Sequence, residues 1–192
     1  MRIGAVVLAA GGSSRLGQPK QLLQHRDQSF VRRMAETALA AGCSPVAVVI
    51  GPEQEKIKIA LRRLPARVLP NDSWQHGIGT SVRAGVAVLQ DCDALLFLAC
   101  DQPHVETAVI CRLIARQQET QKPMVASAYS GTLGVPAMFS RTCFKELLAL
   151  NDQEGAKALL MARPNDVATI DFPEGAIDID TPTDWQRFTS NR

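Results

Sequence analysis

The chain has 192 residues, 46% hydrophobic and 21% charged, which is typical of a globular protein and argues against a disordered or fibrous one. A net charge of +2 is too small to indicate nucleic-acid binding, and five cysteines without CxxC spacing indicate neither a disulfide framework nor a zinc site. The longest apolar stretches, such as 94–100, are too short to span a bilayer, and the N-terminus does not resemble a signal peptide. We therefore expect a cytoplasmic protein that acts on neither membranes nor nucleic acid.

Short apolar runs alternate with helical periodicities along the first part of the chain. The runs predict buried strands at 3–8, 46–50 and 94–99. Helical spacing of apolar residues predicts helices around 31–39, 57–64, 82–89 and 109–114. This alternation predicts right-handed crossovers and a three-layer α/β/α fold with a mostly parallel, Rossmann-like sheet.

The second half is less regular but continues the same types of element. Strands are predicted at 124–128 and 135–139, on either side of a turn at Gly131. A helix around 144–148, a strand at 167–170 and a terminal helix carrying Trp185 and Phe188 follow. No internal repeat or linker interrupts the sequence, so we expect a single domain over residues 1–192.

The segment 8–20 follows the first strand and is rich in small residues. Small residues at 9–13 allow the backbone to approach a ligand, and successive N–H groups in such a turn form an anion-binding concavity. Arg15 and Lys20 add positive charges suited to a triphosphate. The segment is neither a Rossmann GxGxxG motif nor a P-loop. The alternative is a plain strand-to-helix turn with two incidental cations.

Two later segments are also candidates, and each has a purely structural alternative. Segment 77–85 places glycines before a Thr-Ser pair, which suits either ligand contacts or a helix start with Thr80 or Ser81 as the N-cap. Asp101 follows the clearest strand, where a carboxylate faces the ligand crevice and suits Mg²⁺. The alternative for Asp101 is an Asx-type turn before Pro103.

The C-terminal segment 178–184 combines a helix start with two extra carboxylates. Thr181 as N-cap, with a proline at the first helical position and Asp184 one turn in, describes a well-formed helix start. That structural role does not account for Asp178 and Asp180, which precede the cap.

Segment 8–20 resembles the signature of nucleotidyltransferases with a glycosyltransferase-A-like fold, also called nucleotide-diphospho-sugar transferase-like. Among these it is most similar to the molybdenum cofactor cytidylyltransferase branch. The resemblance implies that backbone around Ala9 and Ala10 meets the base. It also implies that Gly11, Gly12 and Ser13 wrap the phosphates, while Arg15 and Lys20 neutralise them.

The other segments resemble further parts of the same family. The resemblance implies that Gly79 and Ser81 support the base and ribose. It also implies that Asp101 and Asp180 hold Mg²⁺, with Asp178 as the second choice after Asp180. Segment 134–139 resembles the acceptor-side GxP segment, although Val135 stands where a histidine is frequent. In segment 152–157, Gly155 and Lys157 either face the acceptor's phosphate or belong to a solvated helix start.

Together these segments imply a Mg²⁺-dependent enzyme that transfers CMP from CTP to molybdopterin carrying molybdenum, with release of pyrophosphate. An apo-molybdoenzyme is a possible further partner. The nearest alternative keeps the chemistry but uses GTP or another phosphorylated acceptor. A different class of alternative is a non-catalytic carrier of the cofactor, and a Rossmann oxidoreductase is weaker because its fingerprint is missing.

Overall fold

A computed structural model describes residues 1–190 of the chain, in which strands and helices alternate. The strands are β1 (Ile3–Ala9), β2 (Gln24–His25), β3 (Gln28–Ser29), β4 (Val46–Ile50), β5 (Ala66–Pro70), β6 (Ala94–Ala99), β7 (Met124–Tyr129), β8 (Thr132–Ser140) and β9 (Val167–Asp171). The helices are α1 (Phe30–Ala40), α2 (Gln54–Ala60), α3 (Ile78–Val88), α4 (Thr107–Thr120), α5 (Phe144–Leu148), α6 (Lys157–Ala162) and α7 (Pro182–Ser190). No helix in residues 1–190 is long and apolar enough to cross a membrane.

The central sheet has seven strands in the order β5-β4-β1-β6-β8-β7-β9. Strand β1 pairs in parallel with β4 and with β6. Strand β8 is antiparallel to both of its neighbours, β6 and β7, whereas β5 pairs in parallel with β4 and β9 with β7. Six of the seven strands therefore share one direction, and the loops after them meet along one edge of the sheet.

Helices cover both faces of this sheet, so the predicted three-layer α/β/α fold is confirmed. In β1, Ala5 and Val7 face the core shared with α1, α2 and α4, whereas Val6 faces the core shared with α3, α5 and α6. This alternation is the period of two that a strand imposes on its side chains. Because β1 is buried on both faces, its sequence is a continuous apolar run rather than an alternating one.

A smaller aromatic cluster attaches the C-terminal helix α7 to the segment after β1. Phe30 lies edge-on to Trp185 at a centroid distance of 5.8 Å and to Phe188 at 6.1 Å. Leu16 and Ile179 are buried in the same cluster. The predicted terminal helix is therefore present, and its packing brings the segment before it close to the glycine-rich loop.

Two predicted elements have different boundaries in the structure. Strands β7 and β8 extend up to the turn on both sides, because Ser130 and Gly131 both have positive φ and close a tight hairpin. Helix α2 ends at Ala60 rather than near Leu64, and the chain turns at Arg63, whose φ is 67°.

The expectation that Thr80 or Ser81 caps helix α3 is wrong. The N-cap is Gly77, whose φ of 134° is accessible to glycine, so the helix starts directly afterwards at Ile78. The Thr80 hydroxyl donates instead to the carbonyl of Gly77 at 2.7 Å. Both hydroxyl residues therefore lie inside the first turn of the helix.

Gly85 allows helix α3 to pack directly on strand β1. A Cβ at position 85 would lie 2.4 Å from Cγ1 of Val6. Glycine-to-alanine changes in helices usually stabilise by about 1 kcal/mol. Here we expect Gly85→Ala to lower the free energy of unfolding by about 1–3 kcal/mol, because the added methyl group overpacks the core. Urea denaturation measures this change.

Ala87 provides a matched control on the exposed face of the same helix. Ala87→Gly should lower the free energy of unfolding by about 1 kcal/mol through helix propensity alone. In a double-mutant cycle, Gly85→Ala should be less destabilising when Val6 is already alanine. A stabilised Gly85→Ala variant would show that close packing on Val6 does not constrain α3.

Candidate active site

The glycine-rich loop after β1 is shaped from beneath by the buried side chain of Gln21. Its amide nitrogen donates to the carbonyls of Ala9 at 3.0 Å and Gly11 at 2.6 Å. Ser13, which has a positive φ of 52°, accepts from the backbone N–H of Lys20 at 3.0 Å. These bonds curve the loop back on itself and bring Lys20 beside the end of β1.

The predicted nucleotide-binding residues of this loop differ in exposure. Ala9 and Ala10 are buried, Gly11 and Gly12 are exposed, and Ser13 is partly buried. A Cβ at Gly12 would lie 2.8 Å from the six-membered ring of Trp74, so glycine is required for the contact with this indole. Gly12 thus allows the loop to pack closely on Trp74, while the approach of the loop backbone to a ligand stays a prediction.

The charged residues singled out from the sequence meet at one point. The Lys20 ammonium contacts the carboxylate of Asp101 and lies 3.0 Å from Oδ1 of Asp180. Arg15 donates to the other oxygen of Asp180 at 2.8 Å. Asp101 follows β6 after one intervening residue, and its carbonyl accepts from the N–H of Ile179 at 3.0 Å, which holds the C-terminal segment in place.

The charges of this cluster shift each other's pKa. Burial alone would lower the pKa of Lys20, but the charge of Asp101 and hydrogen bonds to both carboxylates raise it above its ordinary value. For Asp180, burial opposes ionisation, while contacts with Lys20 and Arg15 bring the net pKa below the usual range. Lys20 is therefore an ammonium and Asp180 a carboxylate at neutral pH.

Asp178 lies near the same cluster. Partial burial, followed by the charges of Asp101 and Asp180, raises its pKa to about 6. Asp178 is nevertheless an exposed residue, so repulsion by the carboxylates of Asp101 and Asp180 is an important cause of its raised pKa. Asp180 makes the direct contacts with Lys20 and Arg15, whereas Asp178 contributes charge nearby.

The start of helix α3 forms a neighbouring part of the site. The buried Asn71 donates from its amide to the hydroxyls of Thr80 at 2.8 Å and Ser81 at 2.9 Å. Ser81 lines the cleft above the glycine-rich loop. Gly79 is buried, and a Cβ there would lie 2.0 Å from the carbonyl oxygen of Asn151. The structure therefore gives Gly79 a packing role beside its predicted ligand role.

A cavity of about 320 Å³ connects these features. The first half of the chain contributes Ala10, Gly11, Lys20, Trp74, Ser81 and Asp101 to its lining, which we call the first wall. The second half contributes Tyr129, Gly134, Val135, Gly155, Ala156 and Lys157, which we call the second wall. Cys100 also lines it, and burial raises the pKa of its thiol, so this cysteine stays protonated and is a poor nucleophile.

A small hydrogen-bond network stabilises the second wall of the cavity. The Val135 carbonyl accepts from the hydroxyl of Tyr129 and from the side-chain amide of Gln102, both at 3.1 Å. A Cβ at Gly134 would lie 2.0 Å from the Tyr129 oxygen, so this residue must be glycine for the tyrosine to lie across it. Lys157, at the start of α6, faces the cavity while remaining exposed, which is compatible with both roles considered for it.

The carboxylates fit a divalent cation that shares its coordination with a substrate. Asp101 and Asp180 converge on a single ammonium, so their oxygens lie within a few ångströms of one another. Mg²⁺ is commonly held by one or two carboxylates plus substrate phosphates. Within residues 1–190 no group of three or more His, Cys, Asp or Glu forms a metal cluster, so phosphate oxygens would have to complete the coordination.

The sequence patterns did not reveal three residues of this site: Gln21, Trp74 and Tyr129. Gln21 directly follows Lys20 but has no distinctive spacing, so nothing in the sequence indicated its burial. A large aromatic residue within the turn-rich stretch 70–79 was a usable signal for Trp74, because such loops rarely need one for packing. Tyr129 is the sole tyrosine of the chain and lies at the tip of a strand.

The chain is similar to known proteins in sequence and in structure. The family model described as the MobA-like NTP transferase domain matches residues 5–167. The chain belongs to the MobA-like NTP transferase family. As a member of this family and fold, it is a nucleotidyltransferase.

Proteins that are similar to this chain in sequence have names that refer to different functions. The nicotine blue oxidoreductase of Paenarthrobacter nicotinovorans is 31% identical, over 72% of this chain and 67% of its own length. The purine catabolism protein PucB of Bacillus subtilis is 29% identical, over 94% of this chain and 92% of its own length. The molybdenum cofactor cytidylyltransferase of Escherichia coli is 23% identical, over 95% of this chain and 93% of its own length.

Solved structures of this fold agree with the sheet and its layers. Rv0371c of Mycobacterium tuberculosis superposes with a TM-score of 0.85 at 28% identity, covering 99% of this chain and 98% of that one. A structure of Rv0371c in complex with manganese has a TM-score of 0.78 at 26% identity and covers both chains completely.

The pKa of Asp178 is a measurable consequence of this crowding of carboxylates. In a ¹³C NMR titration of the MobA-like protein, we expect the Asp178 carboxyl to ionise near pH 6. A raised pKa means that the site disfavours the charged form, so the third negative charge appears only as the pH rises through this value. Asp101→Asn removes a like charge and should lower the Asp178 pKa.

Glu119→Gln, an exposed change on α4, should leave the Asp178 titration unchanged. A wild-type pKa near 4 would mean that the Asp178 carboxylate does not feel Asp101 and Asp180.

Proposed function

We propose that this nucleotidyltransferase transfers CMP from CTP to molybdopterin carrying molybdenum, with Mg²⁺ as its metal. A terminal phosphate oxygen of the acceptor attacks the α-phosphorus of CTP, the bond from the α-phosphorus to the oxygen bridging it to the β-phosphorus breaks, and pyrophosphate leaves. The observation that carries the proposal is the cluster of Arg15, Lys20, Asp101 and Asp180 beside the glycine-rich loop.

We assign each group of the chain a role in this reaction from the family resemblance and from its place near the charged cluster. Backbone at Gly11, Gly12 and Ser13 wraps the phosphates, and Ala9, Ala10, Gly79 and Ser81 support the base and ribose. Lys20 and Arg15 neutralise the negative charge that develops on the phosphates, including the charge on the leaving pyrophosphate. The chemistry needs positioning and charge neutralisation rather than a nucleophile on the enzyme.

Asp101 and Asp180 would hold the metal, which would neutralise charge on the phosphates. The manganese complex of Rv0371c supports a divalent cation in this fold. The choice of CTP and of the molybdenum cofactor is supported by the likeness to the Escherichia coli cytidylyltransferase and by the signature at 8–20. An apo-molybdoenzyme would then receive the product.

Three alternatives remain distinct. Use of GTP or of a different phosphorylated acceptor keeps the same chemistry and the same charged cluster. A non-catalytic carrier would not need both Lys20 and two carboxylates at one point. The Paenarthrobacter relative is named an oxidoreductase, which suggests that activity as an alternative. However, a shared fold does not establish a shared function, and segment 8–20 lacks the dinucleotide-binding fingerprint.

Calorimetric titration with CTP, GTP, ATP and UTP, each with Mg²⁺, tests the proposal. We expect CTP to bind most tightly and Lys20→Ala to weaken it by at least about tenfold, because a charge-assisted hydrogen bond contributes about 1.5–3 kcal/mol. Preference for GTP would indicate a guanylyltransferase. Binding of NADH but of no triphosphate would indicate the oxidoreductase.

Tryptophan fluorescence provides an independent measure of the same binding. The chain has two tryptophans, and Trp74 lines the cavity whereas Trp185 packs in the aromatic cluster. CTP should change the emission of a Trp185→Phe variant and leave that of a Trp74→Phe variant unchanged. The reverse pattern would place the nucleotide outside the cavity.

Asp101→Asn tests the metal role in catalysis. We expect CMP transfer to fall by at least about a hundredfold, because a metal at phosphate oxygens contributes several kcal/mol of charge stabilisation. Transfer is followed by the release of pyrophosphate, and circular dichroism checks that the variant is folded. Glu119→Gln, an equal change of charge on the exposed end of α4, should retain full activity. Appreciable activity of Asp101→Asn would contradict the metal role.

A further inference from the structure

The contact of Lys20 with two carboxylates is shielded from water. The exposed fractions of the side chains are 14% for Lys20, 18% for Asp101 and 33% for Asp180. Within residues 1–190, the hydrogen-bond partners of the Lys20 ammonium are these two carboxylates. An ion pair with so little solvent access is screened much less than one at the surface.

The same oxygens are the ones that a divalent cation would need. Lys20 uses Oδ2 of Asp101 and Oδ1 of Asp180, one oxygen of each carboxylate. Two cations a few ångströms apart repel strongly in a partly buried site. A lysine ammonium and a divalent cation therefore compete for this position rather than share it.

Lys20 has a second direction in which its charge can be used. Its Cε lies 3.8 Å from where a Cβ of Gly11 would be, so the side chain passes along the loop proposed to wrap the phosphates. Phosphate oxygens there would offer the ammonium new acceptors. Arg15 need not move, because it binds Oδ2 of Asp180, the oxygen that Lys20 does not use, and its side chain is 70% exposed.

We infer that Lys20 acts as a competitor for the metal position and that the triphosphate relieves this competition. The phosphates draw the ammonium away from Asp101 and Asp180, the divalent cation takes its place, and metal and nucleotide bind as a linked pair. This inference rests on the proposed function, because it uses the metal role of the two aspartates. By linkage, the metal strengthens nucleotide binding by the same factor as the nucleotide strengthens metal binding.

The test is the binding of Mn²⁺ alone, followed by electron paramagnetic resonance on the full chain without nucleotide. We expect Lys20→Met, which keeps the length of the side chain but removes its charge, to bind Mn²⁺ about tenfold more tightly than wild type, within the usual range of coupling between sites. Lys20→Arg, which keeps the charge, should stay close to wild type. Tighter Mn²⁺ binding would be an unusual result, because removal of a charged residue from the proposed site usually weakens binding there.

Lys157→Met is the matched control for a general loss of positive charge. Lys157 lines the same cavity, is exposed, and pairs with no carboxylate of residues 1–190. Its removal should change Mn²⁺ affinity less than twofold, since a solvent-exposed charge is well screened. An equal gain in Lys157→Met and Lys20→Met would overturn the inference, because the effect would then be the net charge of the cleft.

Asp101→Asn separates failure of this inference from failure of the proposed function. Loss of Mn²⁺ binding when Asp101→Asn is added to Lys20→Met would locate the tighter binding at the two aspartates and support the exchange. If Asp101→Asn abolishes Mn²⁺ binding but Lys20→Met binds no more tightly than wild type, the exchange is wrong and the metal role stands. If Asp101→Asn changes Mn²⁺ binding in neither background, both are wrong.

Discussion

The contact of Lys20 with Asp101 and Asp180 joins three parts of the chain that are far apart in sequence. Lys20 belongs to the first loop, Asp101 follows β6, and Asp180 precedes the last helix. An ammonium and two carboxylates with little access to water are costly to bury unless they are paired with good geometry. The site therefore requires the first and last segments to be held in register, which the cluster around Phe30 and Ile179 does.

The sheet supplies the rest of that register. Strands β1 and β6 are neighbours and run in the same direction, so the glycine-rich loop and Asp101 emerge side by side at one edge. Helix α3 is pressed against β1 through Gly85, which sets the depth at which Ser81 lines the cavity. The antiparallel strand β8 pairs with β6 and brings Val135 into the lining of the same cavity. A mixed sheet thus builds both walls of one cavity.

Most of the fold was predictable because buried strands and amphipathic helices leave strong periodic signals. The boundaries that failed depend on single backbone angles, as at Gly77 and Arg63, which periodicity does not encode. The charged residues could be selected from the sequence because cations beside a glycine-rich turn and a carboxylate after a strand suit phosphate and metal, although each also had a structural alternative. Gln21 was not, since its contacts are with loop carbonyls that become neighbours only after folding.

The two walls of the cavity also divide the work of the proposed reaction. Phosphoryl-type transfer needs charge neutralisation and alignment, which the wall with Lys20 and Asp101 supplies for any acceptor. In the wall with Tyr129, Val135 and Lys157, the Tyr129 hydroxyl donates to the Val135 carbonyl rather than to the carboxylates of that cluster, and Gln102 donates to the same carbonyl. Val135 is also a position at which this chain departs from the cytidylyltransferase pattern it resembles. Under the proposed function, acceptor choice therefore depends on this second wall, while the charged cluster sets the type of reaction.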